Sequence, residues 1–274
     1  MKYDYQAFLP IIISFIISVA LGPIIIPFLK KLKFGQFVRD DGPQSHLKKT
    51  GTPTMGGLII VFAFTVTSLI FAKDFGKVLP VVLVTFGFAL VGFMDDYIKV
   101  VLKRSMGLRA WQKMLGQIVI TGLFAFYILR YTDLGTSVMI PFINTELNLG
   151  YFYVPVLFLI ILGTVNGSNF TDGLDGLASS VTVIIAVFFA VTSIGMHTGL
   201  SPVACAMIGS LLGFLVFNVY RAKVFMGDTG SLALGGFVAA AAYMQKMPIF
   251  IALIAFIYLM EVISVMIQVG YFKK

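Results

Sequence analysis

The chain reads Asn169-Phe170-Thr171-Asp172-Gly173-Leu174-Asp175-Gly176 between two apolar runs, each long enough to cross a lipid bilayer. Burying two aspartates inside an apolar membrane helix costs free energy, so this stretch indicates a break between helices that contacts water. Its glycines allow backbone conformations that other residues resist, and its side-chain oxygens can either cap a helix or hold a ligand. Both roles are open at this point, but either one predicts that two membrane helices meet here.

Composition extends this interpretation to the whole chain. Hydrophobic residues make up 59% of the 274 positions and charged residues 12%, whereas charged residues make up about 25% of an ordinary soluble domain. Apolar runs recur from end to end and leave no room for a separate soluble domain. The sequence therefore predicts a single all-α, polytopic membrane domain over residues 1–274. The net charge of +8 comes from dispersed residues without interleaved aromatic side chains, so we do not expect nucleic acid as a partner.

Nine apolar segments are predicted to span the membrane. They lie at residues 7–29, 55–72, 78–95, 112–130, 152–168, 177–195, 201–219, 230–246 and 248–270. The first segment contains no A-x-A-like cleavage site, which indicates a retained helix and not a signal peptide. The last segment is longer than a bilayer requires, so we expect it to tilt or break. Glu261 lies well inside this segment, and a break would reduce the cost of burying its charge.

Basic residues alternate sharply between the loops. Of the 20 lysines and arginines, 15 fall in the first, third and seventh loops or at the C-terminal end, and such an excess marks the cytoplasmic side of a membrane protein. The same side carries seven of the 12 acidic residues, namely Asp40, Asp41, Asp95, Asp96, Asp172, Asp175 and Asp228. We therefore predict an N-terminus outside the cytoplasm and a cytoplasmic site built from loops near residues 31–54, 95–112, 168–176 and 220–230. For the longer outer loop, residues 131–150, the sequence predicts only a small hairpin.

Asp95 and Asp96 end the third predicted helix. The C-terminal end of a helix carries partial negative charge, so two adjacent carboxylates are disfavoured there. A bound cation would relieve both this penalty and the repulsion between the two side chains. A solvated helix end is the alternative. Lys99, four residues after Asp95, lies on the same helical face if the helix continues.

Two further polar stretches lie on the predicted cytoplasmic side. Residues 225–231 precede the eighth helix, and Asp228 alone would be an ordinary N-cap. Together with another aspartate it would suffice for Mg²⁺, which takes one or two carboxylates plus substrate phosphates. Residues 45–57 combine Lys48 and Lys49 with small hydroxyl residues and glycines. This stretch is either an anion-binding turn or a basic loop that only sets orientation.

Four strings together resemble one family. SHLKKTGTPTMGG (45–57), GFMDDYIK (92–99), NFTDGLDGLA (169–178) and VFMGDTGSLALGG (224–236) resemble the MraY family of bacterial phospho-N-acetylmuramoyl-pentapeptide transferases, within the polyprenyl-phosphate N-acetylhexosamine-1-phosphate transferase superfamily. The resemblance covers residues 41–236 closely. It implies that phospho-MurNAc-pentapeptide is transferred from UDP-MurNAc-pentapeptide to undecaprenyl phosphate, which gives lipid I and UMP in peptidoglycan synthesis. It also implies Mg²⁺ as the cofactor, a bacterial plasma-membrane location and a homodimer.

The resemblance implies roles for residues at matching positions. Asp95, Asp96 and Asp228 match the family's catalytic acids, and Asp228 is the expected Mg²⁺ ligand. The basic residues expected at the diphosphate are Lys48, Lys49, Lys99 and Lys113. The expected substrate-binding residues are Thr54, Asn169, Asp172, Gly173, Asp175, Asn218 and Phe225. Among these, Phe225 is expected to stack on uracil, and Asn218 to act as an amide behind the residues that touch the substrate.

The chemistry of the acceptor narrows the mechanism. A phosphate monoester has a second pKa of about 6, so at pH 7 it is mostly dianionic and hardly needs a general base. We therefore expect direct displacement at the β-phosphorus, and not a phospho-aspartyl intermediate, because positioning and charge stabilisation dominate phosphoryl transfer.

Two other functions stay open on the sequence. A sister enzyme would transfer N-acetylglucosamine-1-phosphate to the same lipid, and a transporter or flippase would carry charges near the membrane midplane and an internal repeat. The family normally continues into a loop with three consecutive histidines and a tenth helix, whereas this sequence ends at Lys274 and has two histidines. We expect either a part of a longer protein or a truncated form.

Overall fold

A computed structural model describes residues 8–31, 51–102, 104, 106–143 and 145–272. Its α-helices are α1 (Leu9–Lys31), α2 (Gly57–Ile70), α3 (Phe75–Val100), α4 (Ala110–Tyr131), α5 (Tyr153–Thr171), α6 (Leu177–Gly195), α7 (Ser201–Asn218), α8 (Gly227–Met244), α9 (Ile251–Ile254) and α10 (Phe256–Phe272). Short 3₁₀ turns cover Gly150–Phe152 and Pro248–Phe250. Two strands, β1 (Ser137–Met139) and β2 (Glu146–Asn148), pair antiparallel.

The helices are those of a polytopic membrane protein. Among the described residues, six helices are long and apolar enough to cross a bilayer, namely α1, α3, α4, α5 with its preceding 3₁₀ turn, α6 and α7. The segment Pro248–Ile254 and α10 meet the same criteria as a pair bent by 81°, so the expected break in the last segment is confirmed. Each of the nine predicted segments corresponds to a described helix or to this bent pair. That all nine span the membrane, with the N-terminus outside, stays a prediction.

Helix α8 lies at the centre of the bundle. Its residues from Thr229 to Met244 are all buried, and it packs against α2, α3, α5 and α6. Alanine and glycine dominate its sequence, and such small residues let helix backbones approach closely inside a membrane. A Cβ at Gly235 would lie 2.5 Å from the Cα of Val165 in α5, and one at Gly236 would lie 2.6 Å from the ring of Phe88 in α3. The position of α8 is therefore fixed by its neighbours.

The predicted hairpin of residues 131–150 is confirmed and lies at the C-terminal end of α8, while its location on the outer side stays a prediction. Val138 pairs with Leu147 across the two strands. The Met139 N–H donates a 2.7 Å hydrogen bond to the carbonyl of Lys246, just after α8, and the Lys246 ammonium lies 3.2 Å from Glu146. The hairpin thus closes the end of the bundle opposite to the N-terminus of α8.

Candidate active site

Helices α3 and α8 touch through a glycine. Gly92 of α3 lies so close to the first turn of α8 that a Cβ there would overlap the main-chain carbonyl of Asp228. Gly57, at the start of α2, makes the same kind of contact with Gly230 of α8. Both contacts require the absence of a side chain. They bring the N-terminus of α8 against the end of α3 that carries Asp95 and Asp96.

Asp96 is buried, and both of its oxygens accept hydrogen bonds from the first turn of α8. Its Oδ1 accepts the N–H of Asp228 at 3.1 Å, and its Oδ2 accepts the N–H and the hydroxyl of Thr229 at 2.9 and 2.6 Å. The first N–H groups of a helix have no partner within that helix, and a carboxylate both satisfies them and complements the helix dipole. Asp96 therefore caps α8 from a neighbouring helix.

The Asp228 carboxylate has charged partners. Lys99 of α3 and Lys113 of α4 each place their Nζ 3.0 Å from its Oδ2, and Asn169 of α5 donates a 2.9 Å hydrogen bond to its Oδ1. Burial raises the pKa of Asp228, but a hydrogen bond with Asp95 and the charges of Lys113 and Lys99 outweigh burial and hold this pKa well below its usual range. Asp228 is therefore an anion at neutral pH, held between two cations.

Asp95 completes the cluster. Its carboxylate is buried, its Oδ1 accepts the N–H of Leu108 at 2.7 Å, and its Oδ2 contacts the ammonium of Lys99. Oxygen atoms of Asp95, Asp96 and Asp228 lie within 4.8 Å of one another. Among the described residues, these three could hold a metal ion together. The sequence places Asp95 and Asp96 at a helix end, which is wrong because α3 continues to Val100. Asp228 joins the two aspartates from α8.

This oxygen set fits a hard divalent cation such as Mg²⁺, which prefers carboxylate ligands. The fit differs among the three residues, because their present partners differ. Lys99, which contacts Asp95 and Asp228, has a side chain that is 41% exposed, and Lys113, which contacts Asp228, has one that is 19% exposed. An incoming cation can displace both ammonium groups. The partners of Asp96 belong to a buried helix start, so the ligands of such an ion would be Asp228 and Asp95.

Asn169, from the stretch that breaks the two apolar runs, lies directly in this network. Its Nδ2 donates to Asp228 and, at 2.7 Å, to the hydroxyl of Ser231. Its Oδ1 accepts a 3.3 Å hydrogen bond from the ammonium of Lys113. One amide therefore connects α4, α5 and α8, and the structure brings Asn169 together with Lys113 and Asp228, the residues predicted to lie near the phosphates.

Asn218 joins two loops that carry predicted substrate-binding residues. Its Oδ1 accepts the N–H of Gly176 at 3.1 Å, and its Nδ2 donates to the carbonyl of Val224 at 3.0 Å. Asp175 adds a second link, since its Oδ2 accepts the N–H of Ala222 at 3.2 Å. The loop after α5 and the loop after α7 are thus held against each other. Gly176 has a φ of +76°, a conformation that favours glycine.

The end of the first loop is bonded to the loop that precedes α8. The N–H of Phe225 donates to the carbonyl of Pro53, and the N–H of Gly56 donates to the carbonyl of Phe225, both at 2.8 Å. Thr54 is buried in this contact, where a Cβ on Gly227 would lie 2.8 Å from its hydroxyl oxygen. The main-chain segments that carry Thr54 and Phe225 are therefore hydrogen-bonded to each other.

The remaining predicted residues are partly described. Asp172 follows α5 and is half-buried, while Gly173 is exposed. Lys48 and Lys49 lie outside the described residues.

Sequence reasoning missed residues in and next to the cluster: Gly92, Leu108, Gln117, Asn166, Thr229 and Ser231. For Gly92 a usable signal was its position one helical turn before the two aspartates. For Gln117 and Asn166 it was the presence of an amide inside an apolar span, which usually has a structural or functional reason. Leu108 acts through its main-chain N–H, and a main-chain donor leaves no trace in residue type.

Known proteins resemble this chain over most of its length. The chain matches the family model for glycosyl transferase family 4 over residues 78–246. It also matches signature 1 of the phospho-N-acetylmuramoyl-pentapeptide-transferases over residues 49–61.

Three similar relatives carry the name phospho-N-acetylmuramoyl-pentapeptide-transferase. The protein from Caldicellulosiruptor bescii is 51% identical over 271 residues, which cover 98% of this chain and 84% of the relative. The protein from Clostridium botulinum strain Alaska E43 is 51% identical over 269 residues, with 96% and 81% covered. The protein from Clostridioides difficile strain 630 is 48% identical over 264 residues, with 96% and 82% covered. Because this identity extends over nearly the whole chain, the chain belongs to the phospho-N-acetylmuramoyl-pentapeptide-transferase family.

Proposed function

We propose that this chain transfers phospho-MurNAc-pentapeptide from UDP-MurNAc-pentapeptide to undecaprenyl phosphate, forming lipid I and releasing UMP. The observation that carries the proposal is the Asp228 carboxylate between Lys99 and Lys113, with Asp95 beside it. A carboxylate cluster with two cations at one end of a membrane bundle suits a reaction between a soluble diphosphate and a lipid phosphate. The names of the relatives support this choice of substrates.

The proposed cofactor is Mg²⁺, with Asp228 and Asp95 as its protein ligands. When bound, the ion would neutralise charge on the diphosphate oxygens. Lys99 and Lys113 bind the same diphosphate, and Lys48 and Lys49 remain predicted to join them. Asp96 holds the first turn of α8, and therefore the Asp228 main chain, in place. In this proposal Asp96 does not touch the substrate, although the sequence groups it with the catalytic acids.

Direct displacement is the proposed mechanism. An oxygen of the dianionic acceptor phosphate attacks the β-phosphorus. The bond from that phosphorus to the bridging oxygen breaks, and UMP leaves with the electron pair. No proton has to be removed from the acceptor, so Asp95 serves as a ligand and not as a base. Trapping a labelled phospho-enzyme in the absence of the lipid acceptor would contradict this mechanism.

The nucleotide side of the site is proposed to lie on the two loops that Asn218 joins. The residues assigned to it are Thr54, Asn169, Asp172, Gly173, Asp175, Asn218 and Phe225. Support comes from the links that Asn218 and Asp175 make between these loops. Asn169 also contacts Asp228, so we assign it to the boundary between the sugar and the phosphates.

We further propose that the site faces the cytoplasm of a bacterial plasma membrane and that the protein is a homodimer. The basic residues Arg221 and Lys223 lie in the same loop as Phe225, which supports a cytoplasmic orientation.

The test is release of UMP by the purified chain in detergent, with UDP-MurNAc-pentapeptide and undecaprenyl phosphate. We expect release that stops when Mg²⁺ is chelated and resumes when it is added back. UDP-N-acetylglucosamine serves as the matched second donor, and release from it alone would favour the sister transferase. Release from neither donor, with lipid movement across vesicles, would favour a flippase and contradict the proposal.

A further inference from the structure

Two amide side chains pair inside the bundle, between α4 and α5. The Nδ2 of Asn166 donates to the Oε1 of Gln117 at 2.9 Å, and the Nε2 of Gln117 donates to the Oδ1 of Asn166 at 3.3 Å. The second hydrogen of Asn166 bonds to the carbonyl of Leu162 in its own helix at 2.8 Å. Gln117 is 1% exposed. Each amide is therefore fixed in orientation by the other.

This pair lies one helical turn below the candidate site on both helices. Lys113 precedes Gln117 by four residues on α4, and Asn169 follows Asn166 by three residues on α5, so each lies on the same helical face as its amide. Lys113 and Asn169 are hydrogen-bonded to each other, and both are bonded to Asp228. The amide pair and the Lys113–Asn169 pair are thus two hydrogen-bonded contacts between α4 and α5, one helical turn apart.

Apolar packing does not by itself set the register of α4 against α5. Between α4 and α5, a Cβ on Gly122 would lie 3.7 Å from the ring of Phe158, an ordinary van der Waals distance that leaves the two helices room to shift along each other. Hydrogen bonds depend on distance and direction, and inside a membrane bundle few other partners compete for an amide. The two hydrogen bonds between Gln117 and Asn166 can therefore form together at only one register of α4 against α5.

We propose that Gln117 and Asn166 are positioning residues, which set the register of α4 against α5 so that Lys113 and Asn169 reach Asp228 together. The activity readout of this inference rests on the proposed transferase function. The two residues themselves do not touch the substrate. They act through the placement of one ammonium group and one amide.

An exchange of the two side chains tests the proposal. Gln117→Asn shortens the bridge by one methylene, and Asn166→Gln lengthens it by one, whereas the double exchange restores the total length and keeps both amides. We expect each single variant to lower kcat for UMP release by about 10-fold, since small misplacements of a catalytic group are costly. The double exchange should recover most of that loss. Thr121→Val is the matched control, because Thr121 is buried on the same face and, within the part of the chain that the structure describes, its hydroxyl bonds to the main-chain carbonyl of Gln117 alone. Its kcat should stay within about twofold of the unmodified chain.

A second cycle separates positioning from general support of the fold. In a Lys113→Met background no ammonium group is left to place, so the penalty of Gln117→Asn on kcat should shrink. An undiminished penalty in that background would contradict the proposal. So would a double exchange that stays as slow as the single variants, or single variants that match the unmodified chain.

Trp111 gives a readout that needs no substrate. It is the one tryptophan of the chain, it lies two residues before Lys113, and it is 61% exposed. Quenching of its fluorescence by brominated detergent should change in each single variant and return in the double exchange. If the unmodified chain releases no UMP, the transferase function fails, and this quenching series alone decides the proposal. Unchanged quenching in both single variants would then overturn it.

Discussion

Asp95 and Asp96 are neighbours in the chain, yet they belong to two different regions of the site. Asp96 lies in the α3–α8 contact, where its partners are main-chain N–H groups and a hydroxyl at a buried helix start. Asp95 lies on the lysine side, where its neighbours are Lys99 and Asp228. A metal ion or a diphosphate can displace an ammonium group, but it cannot displace the main chain of a central helix. One carboxylate of the pair therefore holds the site together, and the other is available to bind.

The largest expected effect is on the lysine side. Asp228→Asn removes the anionic oxygen that both lysines contact, and we expect UMP release to fall by about 100- to 1,000-fold, as for other losses of preorganised charge in an active site. The measurement is UMP release at saturating Mg²⁺ and donor. Asp133→Asn is the control, since Asp133 is exposed in the loop after α4, and it should keep full activity. Full activity in Asp228→Asn would contradict the metal role that we propose for this residue.

The next effect concerns the glycine that brings the two regions together. In Gly92→Ala the new methyl group meets the main-chain carbonyl of Asp228, which cannot rotate away. We expect a loss of about 2–3 kcal/mol in the free energy of unfolding, as for an overpacked core. Thermal unfolding in detergent measures it. Gly163→Ala in α5 is the matched control, because no neighbouring atom lies within 4 Å of a Cβ there. Equal midpoints for the two variants would show that α3 and α8 do not need their close contact.

The sequence predicts the parts of this site better than the contacts between them. The helical segments, the outer hairpin and the break before α10 follow from the lengths of apolar runs and from turn residues, which are local signals. The four polar strings also identify the family. The hydrogen bonds between Asp96 and Thr229 join residues far apart in the chain, and they exist only because Gly92 lets α8 approach. Which of two adjacent aspartates faces a buried helix start depends on that packing, and no local pattern encodes it.

A smaller effect distinguishes the two aspartates directly. Asp96→Asn replaces one accepting oxygen by an NH₂ group that faces N–H donors of α8, and a buried donor without an acceptor costs about 1–3 kcal/mol. Asp95→Asn keeps one oxygen for the N–H of Leu108 and removes a charge next to Asp228, so it should lower the unfolding midpoint less. Thermal unfolding of the two variants side by side provides the measurement. A larger loss in Asp95→Asn would reverse the roles assigned to the two regions.

The smallest effect is expected for an ion pair outside both regions. Lys246 and Glu146 join the C-terminal end of α8 to the β1–β2 hairpin at 3.2 Å, and their side chains are 28% and 46% exposed. The two side chains can be displaced from each other as easily as the lysines from Asp228. Among the described residues, however, no second carboxylate or lysine completes a cluster around this pair. An exposed ion pair contributes about 0–1 kcal/mol, so Glu146→Gln should shift the unfolding midpoint only slightly and leave UMP release unchanged. A clear loss of activity in this variant would mean that the C-terminal end of α8 is coupled to its N-terminal turn. The displaceable partners of Asp228 would then be insufficient to explain the chemistry that we assign to the lysine side.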